Sequence, residues 1–192
     1  MPRPVRQIRA AHDERTITVY QAFSPEIAGP AAELGSFPAA FNRERMTWIK
    51  PSFLWMMYRS DWGRSAGQER VLAVTIRRQG FEWALGQAEL SGYEAELHRS
   101  RQEWRRAVRR APARVQWDPE RNLALQPQRC RSLQLGLRGE AVERYLDEWI
   151  ERIEDVSALA ERVRLERDAA LLPAERPYPL PAELAARIGA DG

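Results

Sequence analysis

The stretch RVLAVTIRR, residues 70–78, is apolar from Val71 to Ile76 with a single threonine interposed. Short, rich in β-branched side chains and without a polar face, it reads as a strand buried on both faces. The rest of the chain therefore has to supply apolar cover on each side of it. With 192 residues there is enough chain for one domain with a real core, and too little for two comfortable ones.

The flanking segments offer strands and helices in no regular βαβ order. RTITVYQAF (15–23) alternates around Ile17 and Val19 and reads as a first strand. SPEIAGPAAELG (24–35) has Ser24 as N-cap, Pro25 at the first helical position and Gly35 as terminator, while Gly29 and Pro30 predict a kink or a second helical start. RMTWIK (45–50) reads as another strand, running into a helix PSFLWMMYRS (51–60) that Pro51 opens. Helices are expected around 81–90 and 101–110, the second with Ser100 and Glu103 as a capping box, and short strands at 114–118 and 131–137. In GEAVERYLDEWIERIEDV (139–156), Val142, Tyr145, Leu146, Trp149, Ile150 and Ile153 recur at spacings of three and four. That pattern predicts one long amphipathic helix, with Glu140–Arg144 and Glu148–Arg152 pairs on its wet side. A helix at 157–170 follows. The proline-rich end then predicts an extended tail draped over the body, so that residues 1–172 form the domain and 173–192 the tail. The fold class expected is α+β: a single domain of small mixed or antiparallel sheets packed with helices.

Composition narrows the chemistry. One cysteine, Cys130, excludes an internal disulfide, and with His12 and His98 it is too little for a structural zinc site, so no metal is expected. The longest uncharged apolar run, Pro51 to Tyr58, is far shorter than the ~20 residues that cross a bilayer. No signal or transit pattern opens the chain, so a cytoplasmic protein without a membrane partner is expected. Charge is uneven. Residues 99–132 hold ten arginines against three acids, a net of +7, and residues 138–168 hold six arginines against ten acids, a net of −4. Such a split makes a phosphate-attracting patch or two halves of one domain that neutralise each other.

Of 30 basic residues only Lys50 is a lysine. Arginine is favoured throughout this alanine-, proline- and arginine-rich chain, so a retained lysine points to a need for a compact ammonium. On a strand, Met46, Trp48 and Lys50 share one face. Lys50 then stands where the strand enters a helix, beside amides that lack internal partners and near the Ser52 hydroxyl, which suits a phosphate or carboxylate. Trp48 offers a flat surface for a base or nicotinamide ring. The alternative is that Lys50 snorkels past the aromatic core of 51–58 to water. Gln21 and Gln134, each in an otherwise apolar strand, either satisfy buried backbone or contact a ligand. Arg101, Arg105 and Arg109 make an i, i+4, i+8 stripe that contacts a nucleic-acid backbone or is a solvated helix face. There is no Walker loop, no dinucleotide-binding glycine fingerprint and no Ser-His-Asp set.

Two blocks, RQIRAAHDERTITVYQAF and RMTWIKPSFLWMMYRSDWG, with the later VQWDPERNL, RSLQLGL and EAVERYLDEWI, resemble the domain-of-unknown-function 4291 family over about residues 3–188. More distantly, the order of strand TVYQAF, Ser-capped helix, strand TWIK running into helix PSFLWMMY, then strand VLAVTI, is similar to the opening of ADP-ribosyltransferase folds. That similarity implies an enzyme that binds NAD and cleaves it or transfers ADP-ribose to an acceptor. Tyr20, Gln21, Trp48, Lys50, Ser52 and Tyr58 would then bind the nucleotide. Gln21 stands where family members carry arginine or histidine, and Gln134 is nearest by order to the family's catalytic glutamate. Lys50 and Gln134 are thus the implied catalytic pair. The alternative function is a non-catalytic RNA-binding module that uses the arginine-rich segment 99–132.

Overall fold

Strand β4 (Arg70–Arg77) is the middle of a three-stranded antiparallel sheet, between β2 (Thr16–Phe23) and β8 (Ile150–Asp155). Val71, Leu72, Val74 and Ile76 are all fully buried, as an apolar run without a polar face requires. The computed structural model describes residues 4–191; the outermost residues of the domain and tail readings, 1–3 and 192, lie outside it. A second sheet has the order β3 (Thr47–Ile49), β7 (Pro127–Leu137), β6 (Ala113–Arg121) and β5 (Ala88–Leu90), antiparallel except where β5 runs parallel to β6. Two-residue strands β1 (Arg9–Ala10) and β9 (Arg176–Pro177) pair as a strap. The fold is a single α+β domain.

The two sheets enclose the main core. Ile17, Val19, Leu72, Val74 and Ile76 from the first face Ile49, Val115, Trp117, Leu133 and Leu135 from the second. Helices α1 (Pro25–Leu34) and α3 (Arg78–Gln87) add Ala28, Ala31, Phe81 and Leu85 to that core. The other face of the first sheet, with Tyr20, Val71 and Ala73, is covered by α2 (Phe53–Ser60) and α6 (Ser157–Glu166) through Phe53, Met56, Met57, Ala160 and Val163. On the second sheet the alternation is complete. Val115, Trp117, Leu133 and Leu135 point to the core, while Arg114, Gln116, Asp118, Ser132 and Gln134 share the polar face. Helix α4 (Arg101–Arg110) lies by the β5 edge of this sheet, opposite β3. Among the described residues no helix is long and apolar enough to cross a membrane.

Three expectations change. The long helix predicted over 139–156 ends early: α5 (Glu140–Arg144) passes into a π-turn, Tyr145–Trp149, and 150–155 is strand β8. The physical reason is β4, whose second edge would otherwise bury unpaired amides; pairing Leu72 with Asp155 through Ile76 with Ile150 satisfies them. Glu140 and Glu148 both reach Arg144, but Arg152, now on a strand, pairs with Glu154 instead of Glu148. Second, α1 runs unbroken through Pro30, whose missing N–H gives up one bond to the first turn. Third, the tail is extended only in part. After β9, residues 182–188 form α7 (Ala182–Ile188), which buries Ala185 and Ile188 and accepts a bond from Trp117 Nε1 at the Ile188 carbonyl, 2.8 Å.

Nor do the two charged segments neutralise each other. Acids of 138–168 pair with Arg43, Arg70 and Arg77 or with arginines of their own segment. The arginines of α4 stay in solvent.

Two glycines give opposite expectations. A Cβ on Gly80 in α3 would come within 2.3 Å of the buried Trp149 ring, whereas one on Gly29 meets nothing within 4 Å. In urea unfolding, Gly80→Ala is expected to lose about 1–3 kcal/mol, and Gly29→Ala to gain about 0.5–1 kcal/mol.

Candidate functional site

Strand β3 belongs to one sheet up to Ile49 and joins the other at the next residue. Thr47, Trp48 and Ile49 pair with Leu137, Gly136 and Leu135 of β7, and then Lys50 exchanges both backbone bonds with Tyr20 of β2, at 2.7 and 3.2 Å. Pro51 turns the chain into α2. Ser52 caps that helix by accepting from Trp55 N at 3.1 Å. Lys50 is thus held at the seam between two sheets, and the residue is 7% exposed.

That side chain looks into a cleft of about 590 Å³. Met46, Trp48 and Lys50 line it from the β3 segment, Gln21 and Phe23 from β2, Met56 and Arg59 from α2, and Ala66 to Gln68 from the following loop. The loop is anchored by buried Trp62 and by Gly63 N–H donating to Ser60 Oγ, which itself donates to the Met56 carbonyl. Trp48 packs close against β7 at Gly136, which has no side chain; a Cβ there would come within 3.0 Å of the indole. Half-buried Trp48 keeps part of its ring open to the cleft.

The electrostatics are one-sided. Lys50, Arg45 and Arg59 line the cleft, and among the described residues no carboxylate does. Arg45 and Arg59 are exposed and, among the described residues, neither is in an ion pair, unlike their neighbours Arg43 and Arg64. The Lys50 Nζ donates to the Trp48 carbonyl at 3.3 Å. Burial lowers the ammonium to about 7; the Arg59 guanidinium pushes the same way and Asp118 opposes.

Gln21 is buried with its amide engaged. Its Nε2 donates to Thr47 Oγ1 at 2.7 Å and to the Trp48 carbonyl at 3.4 Å, and its Oε1 accepts from the Tyr145 hydroxyl at 2.7 Å. It lines the cleft while tying the Trp48 backbone to the core. Gln134 shares the face of the second sheet that carries Trp48 but does not line the cleft: its Nε2 donates to Asp118 Oδ2 at 2.6 Å, and Gln116 holds the other oxygen. Tyr20 points to the far side of β2, edge-on to Phe53 in the second core cluster. Tyr58 stacks on Trp55 and carries the Arg121 guanidinium 3.6 Å above its ring. Arg101, Arg105 and Arg109 are exposed on α4, beyond the opposite edge of the sheet from Lys50. The cleft thus gathers Gln21, Trp48 and Lys50 from the sequence candidates. It adds Arg45 and Arg59, which lie in charged surroundings without periodic signal and become visible only when the chain is folded.

The amides at the start of α2 have their own occupant. Phe53 N–H donates to Glu175 Oε1 at 2.7 Å, and Ser52 Oγ donates to Glu120 Oε1 at 2.9 Å. The group at this helix N-terminus is therefore a carboxyl carried by the strap that contains β9, and Ser52 belongs to that cluster, apart from the cleft lining. Burial raises both carboxyls. Glu175 reaches about 8, with Glu120 repulsion adding to burial and the Phe53 amide and Arg9 working against it.

A family model described as Domain of unknown function (DUF4291) matches residues 7–178, a span that includes every element from β1 to the strap. The chain belongs to this family. No curated protein matches the chain. Within this DUF4291 domain, the Lys50 cleft and the Glu120–Glu175 cluster stand on either side of one short turn.

The two groups titrate in opposite senses. Between pH 7 and 10.5 the unfolded chain holds a proton on Lys50 that the native state has released, so stability rises with pH across that window. Between pH 4.5 and 8 the native state holds a proton on Glu175 that the unfolded chain lacks, so stability falls as pH rises. Denaturation followed against pH is expected to lose the alkaline rise in Lys50→Met, worth up to about 4–5 kcal/mol, and the acid-to-neutral fall in Glu175→Gln.

Proposed function

We propose that the Lys50 cleft binds a nucleotide, with NAD as its ligand, in an enzyme that cleaves NAD or transfers its ADP-ribose to an acceptor. The observation that carries this reading is a cleft lined by two arginines and the Lys50 amine, with no lining carboxylate among the described residues and an indole beside them. Phosphate oxygens suit Arg45 and Arg59, whose guanidinium forks donate in pairs. An anion arriving near Lys50 favours its charged form, so the amine takes up a proton on binding. The Trp48 ring supplies a stacking surface for a base or nicotinamide. Gln21 acts as a positioning residue, since its amide holds the Trp48 carbonyl and Thr47.

The transfer step has support from motif order. In the cleft itself the reactive group is the Lys50 amine. Asp118, whose charge Lys50 senses, stands outside the cleft lining, where Gln116 and Gln134 hold its two oxygens. A second reading, RNA binding, draws on the exposed stripe of Arg101, Arg105 and Arg109. Sequence-independent phosphate contacts would give it a steep salt dependence.

Calorimetric titration of NAD and ADP-ribose at pH 8 is expected to show binding with proton uptake, read as a heat that changes with the buffer's ionisation enthalpy. Lys50→Ala, Arg45→Ala and Arg59→Ala should each weaken it by roughly tenfold or more, the worth of a charged hydrogen bond. Absence of binding by either ligand, together with salt-sensitive RNA binding lost in an Arg101, Arg105 and Arg109 triple alanine variant, would replace this reading with the second.

A further inference from the structure

The amine of Lys50 is placed as a reactive group as well as a charge. Its backbone is pinned by the two bonds to Tyr20 and by Pro51 behind it, so the side chain enters the cleft from a fixed root. Its nitrogen donates to the Trp48 carbonyl oxygen at 3.3 Å; Asp118, the carboxylate whose charge favours the ammonium, lies outside the cleft lining and is outweighed by burial. Met46 and Met56 line the same space, and Arg59 is the neighbouring cation. A lysine desolvated beside a second cation is the arrangement that turns an ammonium into a nucleophile.

We propose that Lys50 is a nucleophilic amine that captures a small anionic carbonyl compound as an imine, with Arg45 and Arg59 holding the anionic group. The proposal goes beyond the nucleotide reading and does not depend on it, although both use one cleft. The nitrogen lone pair adds to the carbonyl carbon, and the π pair moves to oxygen, which takes the proton released from nitrogen. The carbinolamine then loses its hydroxyl with a second proton as water, leaving a C=N bond to Lys50. No oxidant or reductant enters the step. An amine titrating near 7 is about half unprotonated at neutral pH, roughly a thousandfold more than a solvated lysine. The anion has to sit on the arginines for this chemistry, because an anion against the nitrogen itself would restore its proton.

Because the chain has one lysine, labelling is unambiguous. The full chain is incubated with borohydride and, separately, a phosphorylated aldehyde (pyridoxal 5′-phosphate), a carboxylated one (glyoxylate) and a neutral one (propionaldehyde), and the products are mapped by peptide mass. A single reduced adduct on Lys50 is expected with at least one anionic aldehyde, at a rate that rises through about pH 7 and then levels. Whichever anionic probe reacts names the anion. Arg45→Ala and Arg59→Ala, checked for unchanged melting, should slow that probe roughly tenfold and leave propionaldehyde unaffected. Labelling confined to the chain's α-amine overturns the proposal. So does a Lys50 rate that keeps climbing past pH 10, or arginine variants that react with the anionic probes at the wild-type rate. NAD titrated into the same preparation separates the two readings: NAD binding without a Lys50 adduct sinks only the imine, and an adduct without NAD binding sinks only the nucleotide.

Discussion

The pair of backbone bonds between Tyr20 and Lys50 is the constraint around which the rest is arranged. It is the point where a strand of the four-stranded sheet becomes bonded to the three-stranded one, so it sets the angle at which the two apolar faces close on the main core. It also decides the fate of every side chain nearby. Thr47 and Ile49 turn inward, Trp48 and Lys50 turn to the cleft, and Tyr20 is sent to the opposite side under Phe53. The pairing fixes the backbone of Lys50, and its side chain is buried where it enters the cleft. Its charge is therefore governed by the cleft.

That seam separates two environments of opposite sign. On one side are Lys50, Arg45 and Arg59 with no lining acid; on the other, Glu120 and Glu175 share a buried cluster at the head of α2. Both sides depart from ordinary ionisation for the same reason, loss of water around a charge, and each moves toward its neutral form. Because Glu175 rides on the strap, the C-terminal segment completes the turn that presents Lys50. The strap is integral to the site's architecture even though no residue of it lines the cleft.

Much of the framework was legible in the residues. The continuous apolar run of β4 demanded a buried strand, Ser100 capped its helix, Ser24 took the N-cap position without a side-chain bond, and the alternation of 15–23 matched the register with β4. The failures share a cause. Spacings of three and four over 142–153 fit a helix locally, but only the folded chain contains the open edge of β4 that recruits 150–155 as a strand. The tail's prolines announced extension, but the apolar face of α7 gained meaning only against α3 and Trp117. Of the site, Trp48 and Lys50 were visible because of their residue types. Gln134 was chosen by order along the chain, and in space it belongs to Asp118.

Sequence alone determined the strand that must be buried, the α+β class, the family and the singular lysine, because each rests on local pattern or residue identity. Tertiary structure decided which charges share a cleft, because pairing across strands brings Arg45, Lys50 and Arg59 together from separate elements while sending Ser52 and Glu175 to the other side of the turn. It also decided the ionisation of Lys50, since desolvation is a property of the surroundings and no residue type encodes it.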